Sequence, residues 1–194
     1  LGLHVERVSM PNIREILLTT FIGEIFYSIG FTFIKLSILA LYRHLFPTRF
    51  IKVSSMALGT FVIMWGISLV LVTIFSCQPI HGFWDITTPS KCVNSKWFFI
   101  GNSIPNIIAD VILLFLPMRD VWRLQLQLRS KIAVSVMFVL GSFVIIASGL
   151  RIKFMLSMNE DDMTWSYVGV GLWTAVEIDV AVVSSCLPTM RPLL

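Results

Sequence analysis

Six ionisable residues stand inside otherwise apolar stretches of this chain: Glu24, Lys35, Asp110, Arg151, Glu177 and Asp179. Charges in such surroundings do one of two jobs. They pair across helices and clamp a bundle, or they line a polar cavity that binds a ligand or relays protons. A charge at mid-membrane costs on the order of 3 kcal/mol even on a lenient scale, so an unpaired one is not left facing hydrocarbon. Asn102, Asn106 and Asp110 recur every fourth residue, which places one polar stripe beside Pro105 on a helix. The other reactive types form no pattern. No two of His4, His44 and His81 have metal-ligand spacing on a helix. Ser142 and Ser148 sit among apolar residues with no His–Asp partner pattern. The many glycines lie inside apolar runs, where they permit close helix packing, and none forms a phosphate-cradling loop. The sequence therefore implies no catalytic residue, no metal site and no cofactor, and the chain is expected not to be an enzyme.

The elements that must position these charges are five apolar runs, at residues 16–42, 53–76, 97–117, 132–156 and 165–187. Each meets the requirement of roughly 20 apolar residues for a membrane-spanning helix. Of 194 residues, 56% are hydrophobic and 13% charged, about half the charge of a soluble domain. The mean hydropathy is +0.85. Transmembrane strands would alternate polar and apolar residues over about 10 positions, which these runs do not. The expected fold is all-α: a single polytopic transmembrane helix bundle over residues 1–194, with the lipid bilayer as its first partner.

The net charge of +4 does not point to nucleic acid, because the basic residues sit between the apolar runs and report orientation instead. Arg43, Arg49, Lys52, Arg119, Arg123, Arg129, Lys131 and Arg191 fall on one side, with Asp120 as the one acid. Arg7, Arg14, Lys91, Lys96, Arg151 and Lys153 fall on the other, among six acids. The positive-inside rule puts the first set in the cytosol, with the N-terminus outside and the C-terminus inside. Cys77 and Cys92 then flank a short outer loop, where a disulfide is expected, the alternative being two unpaired thiols. Cys186, near the cytosolic end of the last helix, reads as a small apolar residue.

Depth along each helix suggests partners. Lys35 and Asp110 both lie about 10–12 Å from the cytosolic helix ends, and Glu24 and Arg151 both about 27–30 Å. The expected pairs are Lys35–Asp110 and Glu24–Arg151, with Glu177 and Asp179 left to compete for Lys35.

Several blocks occur in an order that carries a resemblance. They are GLHV at the start, FIGEIFYSIGFTFIKLSILALYRHLF, FSCQPIHGFWD with a later Cys92, FLPMRDVWRLQLQLRSKIAVSVMFVLGSF, GLRIKFM, and DDMTWSYVGVGLWTAVEIDVAVVSSCLPTMRPLL. The chain resembles the fungal rhodopsin-domain family of integral membrane proteins, which includes the satratoxin-cluster proteins and receptor-like proteins that sometimes carry an extracellular CFEM domain. Members of that family have seven helices, so the resemblance implies that this chain spans helices three to seven. The chain also begins at Leu1 rather than Met, and it reads as the remainder of a longer protein.

The family name does not bring photochemistry with it. Retinal proteins hold the chromophore on a lysine of the last helix, and the 165–187 run has none. Lys35 is the one lysine well inside a span, and the resemblance gives no support for retinal there. The switch motifs of animal G-protein-coupled receptors are missing as well: LYRHLF has no acid before Arg43, and SCLPTMRPLL lacks an Asn-Pro-x-x-Tyr pattern. Three functions remain open. They are a plasma-membrane receptor-like sensor of an extracellular cue, a small proton-coupled carrier, and an accessory membrane protein of a biosynthetic cluster. A sensor needs a cytosolic partner surface, and the 119–131 loop, MRDVWRLQLQLRSK with its preceding Met118, is expected to supply it. Its basic, partly amphipathic character would equally suit an anchor on anionic lipid.

Overall fold

The computed structural model describes residues 10–46, 48–85, 89–118, 128–156 and 163–186. Among these, five long helices carry the fold: α1 (Met10–Leu45), α2 (Arg49–Ile74), α3 (Ser95–Phe115), α4 (Leu128–Leu156) and α5 (Met163–Cys186). Four of them, α1, α2, α4 and α5, are long and apolar enough to cross a membrane. The 21 residues of α3 rise about 31 Å, close to the hydrocarbon thickness of about 30 Å. The chain is an all-α membrane helix bundle.

The helices overrun the apolar runs at several ends, because hydrogen bonding ends a helix whereas hydropathy ends a run. α1 begins six residues earlier than the 16–42 run and continues to Leu45. α2 starts at Arg49 because the Thr48 side chain accepts a hydrogen bond from the backbone N–H of Ile51 and caps the first turn. α3 stops at Phe115, two residues before Pro117, since a residue preceding proline is pushed out of helical geometry.

α1 packs along α2, α3 along α4 and α4 along α5, and α5 closes back on α1, while α2 and α3 barely meet. Away from the disulfide, Leu39, Tyr42, Phe46, Ile51, Leu58, Val62, Leu113, Leu116 and Met137 form one apolar core. The outward faces are equally apolar, with Phe26, Phe33, Met64 and Val139 each more than 60% exposed. In water this would be an aggregation surface. In a bilayer it is the lipid-facing surface.

At the opposite end Cys77 and Cys92 are joined in a disulfide and face each other in a two-residue antiparallel ladder, β1 (Cys77–Gln78) with β2 (Lys91–Cys92). The ladder is extended by the Val93 amide donating to the Ser76 carbonyl at 2.9 Å. A 3₁₀ turn at Ile80–Phe83 follows β1, and there Gly82 is needed: a Cβ on it would lie 2.2 Å from Cβ of Ser90. Phe83 and Trp84 then pack tilted against Phe21 of α1, with ring centroids 5.2 and 5.5 Å away, and dock the hairpin on the bundle.

Candidate functional site

The charged residues of the interior collect into two centres. In the first, Lys35 of α1 lies 3.0 Å from Oδ1 of Asp110 on α3. Its ammonium also donates to Oδ1 of Asn106 at 2.7 Å and to the Asn106 backbone carbonyl at 3.0 Å. An ammonium has three hydrogens, so Lys35 is saturated. It is 4% exposed, which no lysine sustains without such partners.

In the second centre, Arg151 of α4 lies 2.9 Å from Oε2 of Glu177 on α5. Arg151 also donates to the Tyr27 hydroxyl of α1 and, at 3.3 Å, to Oγ of Ser103 on α3. Tyr27 donates to Oε2 of Glu177 at 3.2 Å, and Ser148, one turn before Arg151, donates to the other carboxylate oxygen. Glu177 is fully buried, with both oxygens accepting hydrogen bonds.

Aromatic contacts join the centres. Tyr27, Phe31 and Lys35 recur every fourth residue and so share one face of α1. The Arg151 guanidinium lies 5.3 Å from the Tyr27 ring centre, the Tyr27 and Phe31 rings are 5.2 Å apart, and the Lys35 ammonium is 5.1 Å from the Phe31 ring centre. The two cation-to-ring distances are within cation–π range, and the ring separation is that of an aromatic pair. One continuous polar and aromatic path therefore runs through α1, α3, α4 and α5. α2 contributes no ionised group to it.

Of the residues singled out in the sequence, Lys35 and Asp110 lie together, Arg151 and Glu177 lie together, and Cys77 and Cys92 are joined. The expected Glu24–Arg151 pair is not formed. The Arg151 guanidinium turns to Glu177 instead, because Glu177 faces the Ser148–Arg151 turn across the α4–α5 contact. Matched depth says nothing about which way around the helix a side chain points. Glu177 accordingly does not compete for Lys35. Asp179 joins neither centre. It lies two residues, and so about 200°, beyond Glu177 on α5, and it is exposed. Most of the 119–131 loop lies outside the described residues.

Tyr27, Ser103 and Ser148 carry the second centre, although the sequence offered them no role. The four-residue spacing of Tyr27, Phe31 and Lys35 was the signal for the first of these. Among the described residues no three His, Cys, Asp or Glu side chains cluster as metal ligands.

The two centres interlock a bundle whose sequence matches one family along its whole length: the model of the fungal rhodopsin domain covers residues 1–194. The chain belongs to this fungal rhodopsin domain family. Curated relatives of this fungal rhodopsin domain include the "Polyenoic acids biosynthesis gene cluster protein Ba17b" of Metarhizium anisopliae. That protein is 32% identical over 82% of this chain and 47% of its own length. A "SAT4 family membrane protein" of Emericella nidulans is 28% identical over 97% of this chain and 49% of its own length. The "Receptor GIN3" of Arthrobotrys oligospora is 27% identical over 82% of this chain and 39% of its own length. The chain thus spans about half the length of the first of these relatives. No solved structure matches it.

Proposed function

We propose that this fungal rhodopsin domain is a receptor-like sensor of an extracellular cue, placed in the plasma membrane with its N-terminus outside, and that it works without retinal and without catalysis. The observation that carries the reading is the buried path linking two ion pairs across four helices. Of the two centres, the one around Lys35 and Asp110 keeps unpartnered polar atoms beside a cavity, so a cue can bias contacts there while the Arg151 centre holds the frame, which is what a sensor requires. The similarity to a protein named "Receptor GIN3" supports it. The saturated ammonium of Lys35 supports a role without retinal, since a Schiff base would remove acceptors' partners from Asn106 and Asp110. The basic loops 43–52 and 119–131 favour a cytosolic location for that side.

The test is cue-dependent recruitment of cytosolic proteins, read by proximity labelling in cells carrying the whole protein, with the 119–131 loop intact or with its basic residues neutralised. Recruitment that depends on the loop is the expected result. Recruitment indifferent to both the cue and the loop would sink the reading. Labelling of that loop by an impermeant reagent from outside would reverse the orientation.

A second reading is an accessory membrane protein of a biosynthetic cluster, favoured by the relative named for polyenoic acid biosynthesis. A loss of one secreted metabolite on deletion of the gene, with no cue response to lose, would favour it over the sensor.

A further inference from the structure

A cavity of about 30 Å³ lies where α1, α2 and α3 approach one another, on the side of Lys35 away from α5. Two buried N–H donors belong to residues lining it and have no partner in the protein: Nε1 of Trp65 and Nδ2 of Asn106. Indole nitrogen only donates, and a buried indole usually finds an acceptor. The orientation of the Asn106 amide is fixed, because its oxygen accepts from Lys35 and leaves the nitrogen free. Most other polar groups in the wall have spent their hydrogens: Ser28 and Thr32 donate to carbonyls of their own helix at 2.9 and 2.8 Å, Tyr27 donates to Glu177 at 3.2 Å, and Lys35 is saturated. The half-buried Asn102 amide is a further polar group of this wall. The site thus holds a pair of buried unmet donors, with the Asn102 amide in the same wall, among mostly aromatic and aliphatic side chains.

We propose that this cleft binds a lipophilic molecule bearing one hydrogen-bond-accepting oxygen, such as a ketone, which enters sideways from the bilayer. Trp65 lies about 13 Å below the Ile74 end of α2, well inside the hydrocarbon region, so the ligand reaches it through lipid. Phe61, which lines the same cleft, is 44% exposed and marks its lipid-facing mouth. A space of this size takes the carbonyl group and little more, so an alkyl tail lies outward along Phe61. The weak meeting of α2 and α3 leaves the opening free. Bulk water is distant at this depth, and a carbonyl satisfies the donors while its tail stays in hydrocarbon. The proposal deepens the sensor reading by naming the class of cue, yet binding at the cleft is measurable without any signalling.

The experiment uses the whole protein in lipid nanodiscs, titrated with 2-nonanone and, in parallel, with nonane. The Trp65 indole N–H resonance, assigned by its loss in Trp65→Phe, should move downfield with the ketone and stay in place with the alkane. Trp65→Phe keeps an aromatic ring in the wall and removes the donor, so it should weaken 2-nonanone binding by about three- to tenfold. No shift with the ketone, an equal shift with nonane, or unchanged affinity in Trp65→Phe each overturns the proposal. If that variant does not fold, the contrast between ketone and alkane on the unmodified protein still decides. Ketone binding without partner recruitment upholds the site and counts against the sensor reading alone.

Discussion

The two ion pairs are alike in charge and unequal in completeness. Around Arg151–Glu177, both carboxylate oxygens are occupied, and three other side chains, Tyr27, Ser103 and Ser148, surround the pair, with Nε of Arg151 left without a partner. Around Lys35–Asp110, the cation is saturated but its surroundings are not: Oδ2 of Asp110 and Nδ2 of Asn106 are buried without partners. Asp110 and Lys35 also border a second cavity of about 50 Å³ between α1, α3, α4 and α5. A nearly filled shell makes a clamp, since any rearrangement breaks several bonds at once. An open shell beside empty space makes a place where water or a ligand can join. The same pair of charges serves different ends according to what surrounds it.

The largest expected effect tests the clamp. Glu177→Leu leaves Arg151 buried without its carboxylate and should destabilise the protein by about 3 kcal/mol or more, read by unfolding in bicelles. A loss below that of Lys35→Met would break the distinction between the centres. Next comes a perturbation outside both. Replacing Cys77 and Cys92 together by serine should remove about 3 kcal/mol in the chain-entropy account, while leaving the ranking of the two centres unchanged. Non-reducing peptide mapping of the unmodified protein should find Cys77 linked to Cys92. A smaller effect sharpens the open centre. In a double-mutant cycle of Lys35→Met and Asp110→Asn, the coupling should be about 0.6 to 2 kcal/mol, because the double change removes both charges together. Strict additivity would show that the two residues do not act as a pair. The smallest effect is expected at Asp179. Because it belongs to neither shell, Asp179→Asn should change the stability of this bundle by about 0.5 kcal/mol or less, by the same unfolding measurement.

The fold was legible because hydrocarbon leaves the backbone one cheap arrangement per apolar run of this length. Lys35 and Asp110 were legible together because two opposite charges at the same depth have few other places to go. The partner of Arg151 was not. A long guanidinium arm reaches across more than one turn, and the sequence carries no record of how each helix is rotated about its axis. That rotation is what turns Glu177 inward and Asp179 outward, although two residues separate them. Ser148 and Ser103 were invisible for a related reason: a lone hydroxyl in an apolar run gains meaning only from what the neighbouring helix presents. The free indole nitrogen of Trp65 likewise appears only once the gap between α2 and α3 is seen.

Because α2 sits outside the polar path, the bundle has a hierarchy of attachment. α1, α3, α4 and α5 share charges and hydrogen bonds that lipid cannot replace. α2 leans on α1 mostly through apolar contacts, with Gly59 against Leu36 and Leu39, and with Gly66 leaving room for the Thr32 side chain. Lipid tails offer nearly the same contacts, so hydrocarbon competes for that surface on almost equal terms. Bilayer composition should therefore act on this protein chiefly by changing how tightly one wall is held, while the four-helix frame behind it keeps its shape.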